Sequence, residues 1–153
     1  MADVQEMRGE KIYDCDFDIT ALTDYGVTLD ALLSGKEEIP LQGARIDVLF
    51  EGRIKGRVNG KVVRGVEYLT LRADGRTELD GKATVETDDG QRIAMHIGGV
   101  ARLRANEPIL DLFANVRLVT AAPKYAWVNA APIWSLASVN LTTAKIHADS
   151  FMQ

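Results

Sequence analysis

The chain has 153 residues and a formal net charge of -4, with 46% hydrophobic and 26% charged residues. That length supports one domain with a core needing no staples, and the balance is ordinary for a soluble globular protein. The weak acidity speaks against nucleic-acid binding, which leans on Lys and Arg against phosphate. No apolar run approaches the ~20 residues that span a bilayer, so no membrane role is expected. The single cysteine, Cys15, excludes an internal disulfide. The opening stretch MADVQEMRGEKIYD lacks the apolar region of a secretory signal. Together these features lead to a cytoplasmic protein as the expectation.

Residues 1–10 are polar and are expected to form a flexible N-terminus, with residues 11–153 as a single domain. Lys11 to Thr20 alternates Tyr13, Cys15, Phe17 and Ile19 against Asp14, Asp16 and Asp18, which predicts a strand with a solvated acidic face. Thr28 to Ser34 predicts a short helix, with Thr28 as N-cap and Gly35 just past its end. Arg45 to Glu51 reads as a strand running into Gly52, Gly56 and Gly60. Glycines so placed permit bends or close backbone approach, as at a barrel corner. A phosphate-binding loop would need a strand-to-helix change and a following Lys-Ser/Thr, and neither is present.

Three turn signals follow, Asn59-Gly60, Asp74-Gly75 and Asp89-Gly90. They separate the strands Val62–Arg72, Thr77–Thr87 and Gln91–Ile97 into a meander. On the first, Val66, Tyr68, Thr70 and Arg72 share one face, and Glu67, Leu69 and Leu71 the other. On the second, Leu79, Gly81, Ala83 and Val85 oppose the ladder Glu78, Asp80, Lys82, Thr84 and Glu86. Gly98-Gly99 reads as an interruption before a short piece, Val100 to Arg104. Leu110 to Thr120 is a strand. Pro123 to Asn129 predicts one helical turn begun by proline. Ile133–Ser138 and Val139–His147 close the chain as strand. Eight to ten strands with one short helix predict an all-β fold, a single closed antiparallel β-barrel of the calycin or allene-oxide-cyclase-like kind.

These segments also carry a resemblance. Gly60-Lys61-Val62 with Gly65-Val66-Glu67-Tyr68, the turn Arg72-Ala73-Asp74-Gly75, Glu78-Leu79-Asp80, Glu86-Thr87-Asp88-Asp89-Gly90, and Tyr125-Ala126-Trp127-Val128-Asn129 follow one another in the order seen in domain-of-unknown-function family 3237. The similarity covers roughly residues 44 to 146. It departs at Glu67, where the family usually has Asp, and at Tyr68, where it usually has Trp. Trp134 to Ser138 replace glycines of the family pattern. The resemblance implies a compact β-barrel that forms a homo-oligomer; it brings no activity to transfer.

Candidate chemistry rests on three groups of residues. The ladder with Asp80 and Glu86 is either a solvent face or the lining of a polar lumen. In the latter case, crowded carboxylates would suit proton transfer. Glu67 is a further carboxylate, and Arg72 a partner for developing charge, although the two lie on opposite faces of an ideal strand. Tyr68, Tyr125, Trp127 and Asn129 are candidates for contacting substrate; the last three equally suit a plug that fills the barrel end. His96 and His147 show no ligand spacing, so no metal site is expected. No nucleotide motif suggests a cofactor, and no Gly-x-Ser-x-Gly elbow is present.

Three functions remain open. The first is a cofactor-free lyase or isomerase acting by acid/base chemistry on a small apolar, aromatic or carbonyl-containing metabolite. The second is a lipocalin-like carrier of a small hydrophobic ligand, and the third an assembly protein with a filled lumen. An inward carboxylate cluster would favour the enzyme, and outward carboxylates around an apolar cavity the carrier.

Overall fold

A computed structural model describes residues 9–153. Eight strands run antiparallel, each paired with its sequence neighbours, and the last pairs with the first to close a barrel. They are β1 (Glu10–Asp24), β2 (Ala44–Gly56), β3 (Gly60–Leu71), β4 (Thr77–Thr87), β5 (Arg92–Leu103), β6 (Ile109–Val119), β7 (Ile133–Asn140) and β8 (Lys145–Met152). The helix α1 (Leu29–Leu33) lies between β1 and β2, and a 3-10 segment, Pro123–Ala130, between β6 and β7. The expected flexible N-terminus falls for residues 1–8 outside the described residues; Glu10 already belongs to β1. Among the described residues no helix is long and apolar enough to cross a membrane.

Closure settles which alternating face goes where, because a small barrel has one inside to fill. Tyr13, Cys15 and Phe17 of β1 turn inward, as do Leu79, Ala83 and Val85 of β4. The aspartates of β1 turn outward. They form a ladder with β8 rather than a bare acidic face. Asp16 accepts from His147 at 2.8 Å, Lys145 pairs with Asp18, and His147 also reaches Asp149 at 3.2 Å.

The inward side chains form two apolar layers. One holds Ile54, Val58, Val62, Val85, Ile93 and Leu118, topped by Tyr125 and Val128 of the 3-10 segment. The other holds Ile46, Leu69, Leu71 and Leu79 beneath Leu29 and Leu32 of α1. The 3-10 segment thus stoppers one end of the barrel, while α1 packs at the other. Thr28 caps α1 by accepting the Ala31 amide at 3.1 Å, and Gly35 takes the positive φ of 75° that ends it.

Two strand boundaries differ from the sequence reading. β5 runs unbroken through Gly98-Gly99. A Cβ at Gly99 would lie 2.1 Å from the Phe113 carbonyl oxygen of β6, so glycine here permits close strand approach and not a break. The break in the last stretch falls at 141–144 and not between Ser138 and Val139, and β8 runs on to Met152. The turn at 141–144 carries no glycine or proline. Asn140 holds it by accepting the Thr142 and Thr143 amides at 3.0 and 3.1 Å, and Ala144 takes a φ of 56°.

Candidate functional site in the barrel lumen

Between the two apolar layers lies a cavity of about 140 Å³. It extends from mid-barrel toward the α1 end, where Leu22, Leu29, Leu141 and Ala144 form its rim. Leu22 is half exposed there. At the other end, Ile54, Val58, Val62 and Val128 are fully buried and leave no passage. The wall is apolar apart from Glu67, Tyr13, Cys15, Ser135 and Ser150, and among the described residues no Lys, Arg or His lines it.

Glu67 is the ionisable group that matters most. β3 turns it inward with Leu69 and Leu71, as the alternation predicts. Its carboxyl is buried, and Oε1 has no hydrogen-bond partner. Burial pushes its pKa up to about 8, and the nearby negative charge of Asp80 adds to the rise. Its cross-strand neighbour is Gly81. A Cβ on that glycine would stand 2.1 Å from Glu67 Oε2, so the missing side chain is the space the carboxyl occupies.

Tyr13, on β1, also has a buried hydroxyl without a partner. Burial pushes the Tyr13 hydroxyl and the Cys15 thiol well above their ordinary values, so both stay protonated. Cys15 in this state is no nucleophile. Ser135 and Ser150, paired across β7 and β8, have their hydroxyl oxygens 2.5 Å apart. β3 and β7 stand four strands apart in a ring of eight. Glu67 and Ser135 are therefore on opposite walls. Such a site can take up a small neutral molecule, offer it hydroxyl groups, and exchange a proton with it at one carboxyl.

The other sequence candidates lie elsewhere, because β4 presents its charged face to the outside. Asp80 is exposed, 3.3 Å from His96 Nε2. Glu86 is on the same outer face, in register with Lys61 and Arg92. Arg72 is at the end of the β3–β4 hairpin, where its Nε donates to Glu78 at 3.2 Å. Glu67 is thus not joined in the lumen by Asp80, Glu86 or Arg72. The polar lumen lining considered from the sequence is corrected to a solvent face.

Tyr68 is also outside, with the Arg45 guanidinium 4.6 Å above its ring. The segment with Tyr125, Trp127 and Asn129 is helical and not extended, so the three share no face. Tyr125 is buried and donates to Asp89 at 2.9 Å. Trp127 is half-buried beneath Arg57, 4.1 Å away. Asn129 ties the segment to Thr120, donating to its carbonyl and accepting its amide at 2.8 and 2.9 Å. These residues build the plug and do not line the cavity. Tyr13, Ser135 and Ser150 escaped selection by sequence. Tyr13 was visible on an inward face, but nothing marked the two serines as neighbours of each other. Among the described residues, no cluster of three or more His, Cys, Asp or Glu side chains is placed to hold a metal ion.

Solved structures with the same architecture exist. A protein with unknown function from Clostridium acetobutylicum aligns with a TM-score of 0.78 at 19% identity, over 96% of this chain and 99% of its own. A beta-barrel like protein from Acinetobacter baumannii aligns at 0.73 and 19%, over 99% of both chains. An enzyme from Penicillium herquei aligns at 0.62 and 20%, over 95% of this chain and 94% of its own. At these identities the likeness concerns the fold. No curated protein matches the sequence. The family described as protein of unknown function (DUF3237) matches residues 26–137, nearly three-quarters of the sequence, and the chain belongs to that family.

Proposed function

We propose that the protein is a cofactor-free lyase or isomerase that moves a proton on a small, apolar, carbonyl-containing or aromatic metabolite held in the barrel lumen. The observation that carries this reading is Glu67: a carboxyl inside an apolar cavity, with one oxygen unpartnered. Folding leaves an unsatisfied polar group buried only at a cost. Burial also moves its pKa toward neutrality, where a carboxyl serves both as acid and as base. The Penicillium herquei neighbour is an enzyme, which is consistent with chemistry on this fold.

Glu67 takes the role that the sequence distributes over Asp80 and Glu86. One carboxyl suffices for a proton shuttle, since the group that removes a proton from one atom can return it to another. A lyase or isomerase reaction needs nothing more from the protein than that shuttle and a hydrogen-bond donor for developing charge.

A carrier of a small hydrophobic ligand is the second reading, favoured by the apolar wall and the outward charge ladder. A carrier, however, has no use for a buried unpaired carboxyl. A ligand-shift melt against aromatic acids, lactones, enones and phenolic alcohols separates the two. Ligand at a hundredfold over Kd stabilises a protein by roughly 2.7 kcal/mol. Each hit is then incubated and analysed by mass spectrometry and NMR. A hit converted by the wild type and spared by Glu67→Gln supports the enzyme. A hit bound by both and recovered unchanged moves the assignment to the carrier.

A further inference from the structure

Proton transfer by Glu67 on β3 leaves the β1, β8 and β7 side of the lumen without a task. There the register sets Tyr13 beside Ser150, and Ser150 beside Ser135, on the adjoining strands β1, β8 and β7. All three side chains line the cavity. The two serines are engaged with each other, while the Tyr13 hydroxyl is buried near Ser150 without a well-formed hydrogen bond. Resting on the proton-transfer reading, we propose that Tyr13, flanked by the Ser135–Ser150 pair, docks the carbonyl oxygen of a neutral, single-ring ketone or enone whose acidic carbon faces Glu67.

Three observations narrow the ligand class. The cavity volume, about 140 Å³, matches that of a site able to hold one benzene-sized ring. Phe17 and Phe50, with centroids 4.9 Å apart, both line it and give a flat ring an aromatic wall. Among the described residues no cation lines the cavity, so an anionic ligand would be buried unpaired and near Glu67. A neutral oxygen acceptor meets none of that cost. It also supplies the partner that the Tyr13 hydroxyl lacks.

The chemistry closes without a co-reactant. With the carbonyl oxygen on Tyr13, the ionised Glu67 removes a proton from the carbon next to the carbonyl. The C–H electron pair becomes a carbon–carbon double bond, and the carbonyl π pair moves onto oxygen. There the Tyr13 hydroxyl, held protonated by its burial, stabilises the charge by hydrogen bonding. In a β,γ-unsaturated ketone, Glu67 then returns the same proton to the γ carbon and the conjugated isomer results. Charge and atoms are conserved, and the carboxylate is regenerated.

The test uses the intact protein and four probes: the non-conjugated isomer of cyclohexenone, phenol as a mimic of the enolate, toluene as a ring without oxygen, and benzoate as a charged ring. Phenol and toluene are expected to bind, and benzoate at least about tenfold more weakly. Tyr13→Phe is expected to weaken phenol about tenfold while leaving toluene unchanged. Glu67→Gln is expected to keep phenol and to lose conversion of the non-conjugated enone to its conjugated isomer, read by ultraviolet absorbance. Phenol affinity unmoved by Tyr13→Phe overturns the docking role, whatever Glu67 does. A loss of phenol in Tyr13→Phe, with no isomerisation of the enone by the wild type, upholds the docking role and removes the proton-transfer reading. Should Tyr13→Phe fail to bind toluene, Ser150→Ala replaces it: weakened phenol with toluene retained supports the proposal, and unchanged phenol overturns it. A wild type that binds neither phenol nor toluene overturns the single-ring assignment.

Discussion

Gly81 lies directly across the β3–β4 ladder from Glu67, and the carboxyl of Glu67 fills the volume that any side chain at position 81 would need. The two residues are therefore one unit. Gly81→Ala is expected to destabilise the barrel by about 1–3 kcal/mol, the usual range for overpacking. Gly81→Ala combined with Glu67→Ala is expected to recover part of that loss, because the clashing oxygen is gone. A double-mutant cycle by urea denaturation measures this coupling. Strictly additive effects would mean that the carboxyl does not occupy the glycine's space.

Glu67 also predicts a pH dependence of stability. Its carboxyl has a pKa raised to about 8 in the folded protein, against about 4.3 in an unfolded chain. Between these values the folded state binds the extra proton. Stability contributed by this site is thus greatest below about pH 4 and falls as pH rises, levelling off above 8. Glu67→Gln removes the term. The stability difference between variant and wild type is expected to grow in the variant's favour by an amount of the order of 5 kcal/mol across that window. Chemical denaturation of both proteins at matched pH values checks the sign and the window. A difference that stays flat with pH contradicts the burial of this carboxyl.

Catalysis should follow the same group in the opposite sense. If Glu67 is the base, only its ionised form accepts a proton, so kcat/KM is expected to rise with pH and to be half-maximal near 8. The profile requires a substrate found in the ligand-shift experiment. A rate that falls through that range would instead make protonated Glu67 the working form.

Asp89 predicts the behaviour of the plug. Its carboxylate is held far below the ordinary range by Lys124, Thr87 and Tyr125, which all bond to it. Because the folded pKa is depressed, this contribution is present above the unfolded value of about 3.9 and fades as pH falls below it. Asp89→Asn is expected to speed hydrogen exchange at residues 125–131 while strands β2 to β4 keep their protection. Equal acceleration everywhere would show the latch to be a global stability element instead.

The barrel itself was legible because alternation, X-Gly turns and closure all act through local chemistry. Glu67, Leu69 and Leu71 share a face by the period of two alone. Which face turns inward was not legible on β4, where both faces had a plausible use: the small apolar residues fit a core or a subunit contact, and the charged ones fit solvent or a polar lumen. The register resolves this, because placing Gly81 opposite Glu67 commits the charged residues of β4 to the outside. The Tyr13, Ser150 and Ser135 group was hidden for a different reason. Two of its members are near the chain's end and one near its beginning, and only closure of β8 onto β1 makes them neighbours. The turn at 141–144 was missed because a side chain, Asn140, does the work that glycine usually signals.

Among the described residues, the stopper at the Tyr125 end leaves the lumen a single doorway, beside Leu22 and Leu141. Whatever goes in must come out by the same route, so on the proposed isomerase reading a product of nearly unchanged shape competes with the next molecule for the threshold. On the same reading, a substrate larger than the cavity enters ring first, with its bulk trailing past the rim. Selectivity for that trailing part then belongs to the doorway, and the chemistry at its far end is free to remain the same.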